Sequence, residues 1–220
     1  MTQVLTILVT GPDAFEFLQG QLTNDLKRLE SEDEILTAWC NPKGRVVWFG
    51  TARAIEDGYA LSTPTETAEA IVKRLTMFRF RSKVDFKIND DRVSIDPAAL
   101  IKAGHPFIGP QQVEQFTPHM LNLDLLNAIS LDKGCYTGQE IVARTHYKGA
   151  TKRRTMRFTS DGPVSVGDKI ALEGRDIGEV LNVAGNELLA VIPTAKASGD
   201  LKVNDSLLAL LEMPYAVLAD

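Results

Sequence analysis

Lys133-Gly134-Cys135-Tyr136-Thr137-Gly138-Gln139-Glu140, with Ile141-Val142-Ala143-Arg144 behind it, reads as a loop that turns into a helix. Thr137 and Glu140 have the spacing of a capping box. In such a box the threonine hydroxyl accepts from the Glu140 amide and the carboxylate reaches back to the Thr137 amide. Gly134 gives the preceding loop backbone freedom. Cys135 then lies near free amides at the positive end of a helix dipole, and Lys133 adds a cation beside it. Such surroundings favour a thiolate. Cys135 is therefore the candidate reactive thiol. A local histidine does not complete a hydrolase dyad. His146 is eleven residues on, which along a continuous helix is roughly 16 Å.

Working outward, the 220-residue chain is 44% hydrophobic, enough for one real core and a small second domain. Its net charge of −5 argues against direct nucleic-acid binding. No apolar run is long enough to span a membrane, and Met1–Thr10 has no basic leader. The two cysteines, Cys40 and Cys135, do not form a disulfide framework. Three histidines without a C-x-x-C give no closed zinc site, so no metal ligand is assigned. A reducing, cytoplasmic setting follows as the expectation.

The N-terminal part alternates strand and helix signals. Gln3–Val9 is a β-branched strand, and Ala14, Phe15, Phe17 and Leu18 form a short helix. Gln21–Leu26 is a short helical turn or loop whose amides and carboxylates, Asn24 and Asp25 among them, could face a cavity; the alternative is that Thr23, Asn24 and Asp25 cap local backbone. Strands follow at Ile35–Cys40, Arg45–Ala54 and Tyr59–Ser62, with the tight turn Asn41-Pro42-Lys43-Gly44 between the first two. Thr63-Pro64-Thr65-Glu66 reads as cap, first position and box of a helix carrying Ala68, Ile71, Val72 and Leu75. Phe78–Arg81 alternates like a strand edge, and Lys83–Ile88 continues as a strand. This order implies an α+β fold: an antiparallel sheet with helices on one side. Pro97–Ala103 is a further short helix. Beyond residue 150 short strands at Thr155–Thr159, Lys169–Glu173, Ile177–Val183, Leu188–Ile192 and Ser206–Glu212 predict a small antiparallel β-barrel. The division expected is residues 1–150 and 151–220.

The eight-residue stretch resembles the signature of the YgfZ family of folate-binding proteins, relatives of the T-protein of the glycine cleavage system. The flanks fit the same pattern: Leu121-Asn122-Leu123-Asp124 and Ala128-Ile129-Ser130 before it, His146-Tyr147 and Lys148-Gly149 after it. G-x-D-A-x-x-F-L-Q-G-Q-L-T-N-D, from Gly11 with proline in second place, is similar to the family's amino-terminal pattern, and N-P-K-G-R is also family-like. The resemblance implies a T-protein-like folate-binding domain, shortened, followed by the barrel. Longer members carry a second α+β half between the positions matching Val93–Ile95 and Gly104–Pro106. This chain nearly joins those ends, and that half walls part of the folate cavity in the family. Weakened folate binding is the expectation.

The resemblance further implies tetrahydrofolate as cofactor, with contacts from Gln139, Glu140, Arg144, Asn24, Asp25 and Asn122. Glu140 is the candidate for the donor edge of the pterin, an amino-pyrimidinone that carboxylates read bidentately. Arg144 lies one turn on and can instead pair with Glu140. Lys133, Gly134, Tyr136, Thr137 and Gly138 are the remaining motif positions. The basic run Lys148, Lys152, Arg153, Arg154 and Arg157 is a solvated strand face, or a seat for the glutamate tail of folate or for a phosphate backbone. The implied function is an accessory protein for iron–sulfur cluster assembly or repair, serving enzymes that modify tRNA. Its partners would be iron–sulfur proteins or their assembly machinery. The alternatives are a folate-dependent aminomethyl transferase and a docking module without ligand. The cysteine in the signature favours the accessory branch over the transferase.

Overall fold

The computed structural model describes residues 2–148 and 151–217; the side chain of Lys148 and residue Gly149, both in the motif flank, lie outside the described residues. The chain forms two compact units. The first gathers residues up to Ile95 with Ile108–Pro118 and Leu126–Ala143, and the second gathers Asp96–Phe107, His119–Leu125 and the residues from Arg144 on. These divisions fall elsewhere than a single cut at residue 150, because the segments between 96 and 143 are shared out between two cores.

In the first unit β1 (Thr2–Thr10), β2 (Ile35–Cys40), β3 (Val46–Ile55), β4 (Gly58–Pro64) and β5 (Asp85–Ile95) make one antiparallel sheet in the order β2-β3-β4-β1-β5. Along β1 the buried residues are Leu5, Ile7 and Val9, the two-residue period of a strand with one covered face. That face shares a core with Ala14, Phe17 and Leu18 of helix α1 (Ala14–Gln19) and with Ala68, Ile71 and Leu75 of helix α2 (Ala68–Phe78). The α+β sheet with helices over its apolar face is therefore as the sequence predicts.

Two local readings are corrected here. Thr63 and Pro64 do not start α2. They end β4, opposite Leu5 and Val4 of β1, because the ladder captures them first. The helix begins at Ala68 behind Thr67, whose hydroxyl donates to the Pro64 carbonyl instead of capping. Phe78–Arg81 is not a strand edge. Phe78 closes α2 with its ring against Trp39 at 5.6 Å, and Phe80 sits in a turn with φ +45°.

The second unit is a closed six-stranded barrel. Its strands are β6 (Arg153–Ser160), β7 (Lys169–Leu172), β8 (Arg175–Ala184), β9 (Glu187–Pro193), β10 (Leu201–Val203) and β11 (Ser206–Leu211), in the order β10-β11-β6-β9-β8-β7. Phe158, Ile170, Val180, Leu188, Ala190, Ile192 and Leu201 fill it. The short β10 has no sequence signal of its own, yet it pairs with both β7 and β11 and so closes the ring. Helix α3 (Pro97–Lys102) also belongs to this unit. Pro97 takes its first turn and the Asp96 carboxylate accepts from Ala98 N–H.

Candidate functional site

The signature segment lies in the first unit against the turn that follows α1. Lys133 is the fastener. Its side chain is buried, and its ammonium donates to the carbonyls of Gln19, Leu22 and Asn24 at 2.8, 2.7 and 2.9 Å. Gln19 is the last residue of α1, a helix with no basic residue in its own last turn, so a lysine more than a hundred residues away caps it. The ammonium also lies 5.3 Å from the centre of the Tyr136 ring. Burial lowers the ammonium to about 8, against the pull of Asp25. All three of its protons are committed to carbonyls. The expected role of Lys133 as a cation serving Cys135 is thereby corrected to that of a clamp.

The rest of the loop is held as closely. The Thr137 amide donates to Gly20 C=O, and the Thr137 hydroxyl donates to Gln21 Oε1, which also accepts from the Trp39 indole. Helix α4 (Gln139–Lys148) begins directly after Gly138. The Thr137–Glu140 capping box is accordingly not formed, because the threonine hydroxyl is drawn to Gln21. Gly138 has φ +84°, and a Cβ there would come within 2.5 Å of the Asn41 carbonyl. Gly44, at φ +68°, would meet Ile141 in the same way at 2.8 Å. The N-P-K-G turn and the signature loop therefore interlock through two glycines whose missing side chains permit the contact. Tyr136 is buried behind them with its hydroxyl unpartnered among the described residues, and burial first, then Cys40, raises its ionisation above that of an ordinary tyrosine.

The amide and carboxylate cluster after α1 is turned inward. Asn24 is fully buried. Its Nδ2 donates to Leu36 and Asn127 carbonyls, and its Oδ1 accepts from Asp25 N–H and Arg28. Asp25 accepts from Lys27 N–H and Gln19 Nε2. Burial pushes its carboxyl up, but those two bonds together with the Lys133 and Lys27 charges outweigh it and hold it below the usual carboxylate range. Thr23 sews in the segment ahead of the signature, donating to Ala128 C=O while its own carbonyl accepts from Ser130. Gln21 and Thr23, which the sequence does not mark as site residues, are thus loop anchors. Their partners lie up to 116 residues away, and no local pattern signals them.

What remains presented is short. Cys135, Gly134 and Glu140 are exposed and Gln139 is half-buried. Among the described residues the Gln139 and Glu140 side chains make no hydrogen bond or ion pair, so the anticipated Glu140–Arg144 pair is not formed. Arg144, also exposed, falls in the second unit with Asn122. Asn122 is buried there at φ +58°. Its Nδ2 donates to Thr155 C=O and the Tyr215 hydroxyl, and its Oδ1 accepts from Arg154. Arg154 in turn forks onto Asp124 with two bonds of 2.9 Å. Asn122 and Arg154 of the basic run are therefore committed to holding the second unit together. Among the described residues no three His, Cys, Asp or Glu side chains gather as a metal site.

No protein-family model matches the chain. An uncharacterized protein of Haemophilus influenzae is 28% identical over 272 positions, with 99% of this chain and 97% of that protein covered. The tRNA-modifying protein YgfZ of Aliivibrio fischeri is 26% identical over 288 positions, covering 96% of this chain and 90% of the relative. The YgfZ protein of Yersinia enterocolitica is 30% identical, over 74% of this chain and 51% of its own. The chain belongs to the YgfZ family. The first two alignments run over more positions than the 220 residues present, so those two relatives carry insertions relative to this chain. Among solved structures, the glycine cleavage system aminomethyltransferase T from Bartonella henselae aligns with a TM-score of 0.71 at 14% identity. It covers 96% of this chain and 83% of its own length, which places this YgfZ relative in the T-protein fold. Among the described residues no helix is long and apolar enough to cross a membrane.

Proposed function

We propose that this protein is a tetrahydrofolate-binding accessory factor that supports iron–sulfur cluster assembly or repair, and through it tRNA-modifying enzymes. The observation that carries this reading is the division of labour within the signature. Lys133, Tyr136, Thr137 and Gly138 lock the loop, and Cys135, Gln139 and Glu140 are left with uncommitted functional groups. A loop so firmly fixed that still exposes a thiol is built to present it.

The donor set fits a pterin in part. Glu140 offers a free carboxylate for the amino-pyrimidinone edge, and Gln139 offers a free amide with both donor and acceptor capacity. Asn24 and Asn122 are fully buried and bonded within the fold, and Asp25 spends one carboxylate oxygen on Lys27 N–H and Gln19 Nε2. Bound folate would supply a one-carbon carrier. The chain's own part is to orient the pterin edge and to hold Cys135 out toward a partner's cluster. A cytoplasmic, reducing setting keeps that thiol available.

Isothermal titration with tetrahydrofolate tests the reading. Measurable heat is expected, with Glu140→Ala weakening binding by roughly tenfold, the loss of one charge-assisted hydrogen bond. Absence of heat at high protein concentration would leave a docking module in place of a folate binder.

A further inference from the structure

The net charge of −5 hides a sharp segregation. Residues 73–87 hold six of the chain's 24 basic residues (Lys73, Arg74, Arg79, Arg81, Lys83 and Lys87) and one of its 29 acidic ones, Asp85. Arg74 is engaged with Glu114 and lies over the Trp39 ring. Arg79 donates to Val84 C=O and approaches Asp85 at 3.7 Å. Lys73, Arg81, Lys83 and Lys87 are exposed and, among the described residues, their side chains have no ion-pair partner.

At the centre of this stretch stands Phe80, 88% exposed. It occupies the first central position of a turn closed by Ser82 N–H to Arg79 C=O at 2.8 Å, with φ +45°. A positive φ at that position suits glycine and strains a bulky residue. The turn is not a loose tip. Lys83 N–H donates to the Asp13 carboxylate at 2.7 Å, and Asp13 N–H returns to Lys83 C=O. Met77, 64% exposed, shares a helix face with Lys73 at i,i+4 and adds a second apolar group. A basic stretch alone is an ordinary solvated face. A ring held out in water, in a backbone conformation it disfavours, on an anchored turn between two arginines, is not.

We infer that the turn Arg79–Ser82, with Phe80 and the surrounding cations, is a docking site for single-stranded RNA. Phe80 stacks on a base and Arg81, Lys83 and Lys73 lie against phosphates. Interleaved aromatic and basic side chains are the chemistry by which unpaired nucleic acid is held without sequence readout. An anionic membrane fits less well, because one ring and one methionine bury too little apolar surface to anchor there. The inference rests on this turn alone and is independent of the tetrahydrofolate reading.

Fluorescence anisotropy of the whole protein with a fluorescein-labelled 12-nucleotide oligouridylate, from 50 to 200 mM salt, tests it. Vesicles containing phosphatidylserine and a 12-base-pair RNA duplex serve as separate arms. Expected is salt-dependent binding of the single strand, weakened about tenfold by Phe80→Ala and retained by Phe80→Trp. Arg81→Gln with Lys83→Gln should lower the salt slope by about 0.7 for each phosphate no longer neutralised. Phe80→Gly should weaken binding as much as Phe80→Ala while raising the melting temperature, which shows that the fold is intact and that the strain serves the ring's position. No binding at 50 mM salt, unchanged binding by Phe80→Ala, a preference for the duplex, or binding to vesicles alone overturns the assignment. Because the readout is RNA, its failure leaves the folate titration unaffected.

Discussion

Each unit buries a cation to hold irregular backbone, and they do it differently. Lys133 in the first unit sits among three neutral carbonyls, with Asp25 as a second-rank influence. Arg154 in the second unit forks onto the carboxylate of Asp124, both side chains 13% exposed, and also donates to the His119 carbonyl and to Asn122. A compact ammonium can satisfy three converging carbonyls. A planar guanidinium matches a carboxylate and still has donors to spare. The first arrangement leaves a buried charge without a counter-charge beside it, so its protonation is soft. The second pairs its charges.

Breaking the fork should have the largest effect. Asp124→Ala leaves Arg154 buried and uncompensated and is expected to cost about 3–5 kcal/mol in urea unfolding. The double change Asp124→Leu with Arg154→Met should cost less than that single one, and a larger cost for the double would show that the pair itself stabilises. Lys133→Met is next. It orphans three carbonyls and uncaps α1, for about 2–3 kcal/mol in the same measurement.

The pH dependence sharpens the contrast further. The Lys133 ammonium titrates near 8 in the folded protein and at 10.5 when unfolded. Between those values the unfolded chain binds the extra proton, so stability from this group rises as pH rises. Below about 8 both states are protonated and the burial penalty is constant. Wild type should therefore gain on Lys133→Met between pH 8 and 9.5, before tyrosines ionise near 10. A parallel pair of curves would place the ammonium's ionisation at its ordinary value. The smallest stability effect belongs to the exposed thiol. Cys135→Ser should leave stability within about 0.5 kcal/mol, and Cys135 should alkylate readily. Cys40, buried beneath Gly138 and pushed up to about 12 by burial, should react only through opening of the structure. Equal rates for the two thiols would contradict the packing of the loop.

Much of this was legible in the chain. The two-residue burial period of β1, the Asp96-Pro97 start of α3 and five of the barrel strands are local signals, and local physics honours them. The readings that failed were also local. Thr63-Pro64-Thr65-Glu66 and Thr137–Glu140 both have the spacing of a capping box, and in both a longer-range partner took the group. The first lost Thr63 and Pro64 to the β1 ladder, and the second lost the Thr137 hydroxyl to Gln21.

The sequence by itself determined most of the segments that form sheet, helix and barrel, β10 excepted, because side-chain periodicity and turn chemistry act between near neighbours. It also marked residues 133–140 as the segment to watch. Only the tertiary structure decided what each of those residues does. Lys133 faces three carbonyls and Cys135 faces water although two residues separate them. Asn24 and one oxygen of Asp25 are taken up by neighbouring backbone and side chains, and Phe80 is held outward on an anchored turn. A hydrogen bond is made to whichever partner the folded chain brings within about 3 Å. For Lys133 that partner comes from up to 114 positions away, beyond the reach of any pattern in a window of sequence.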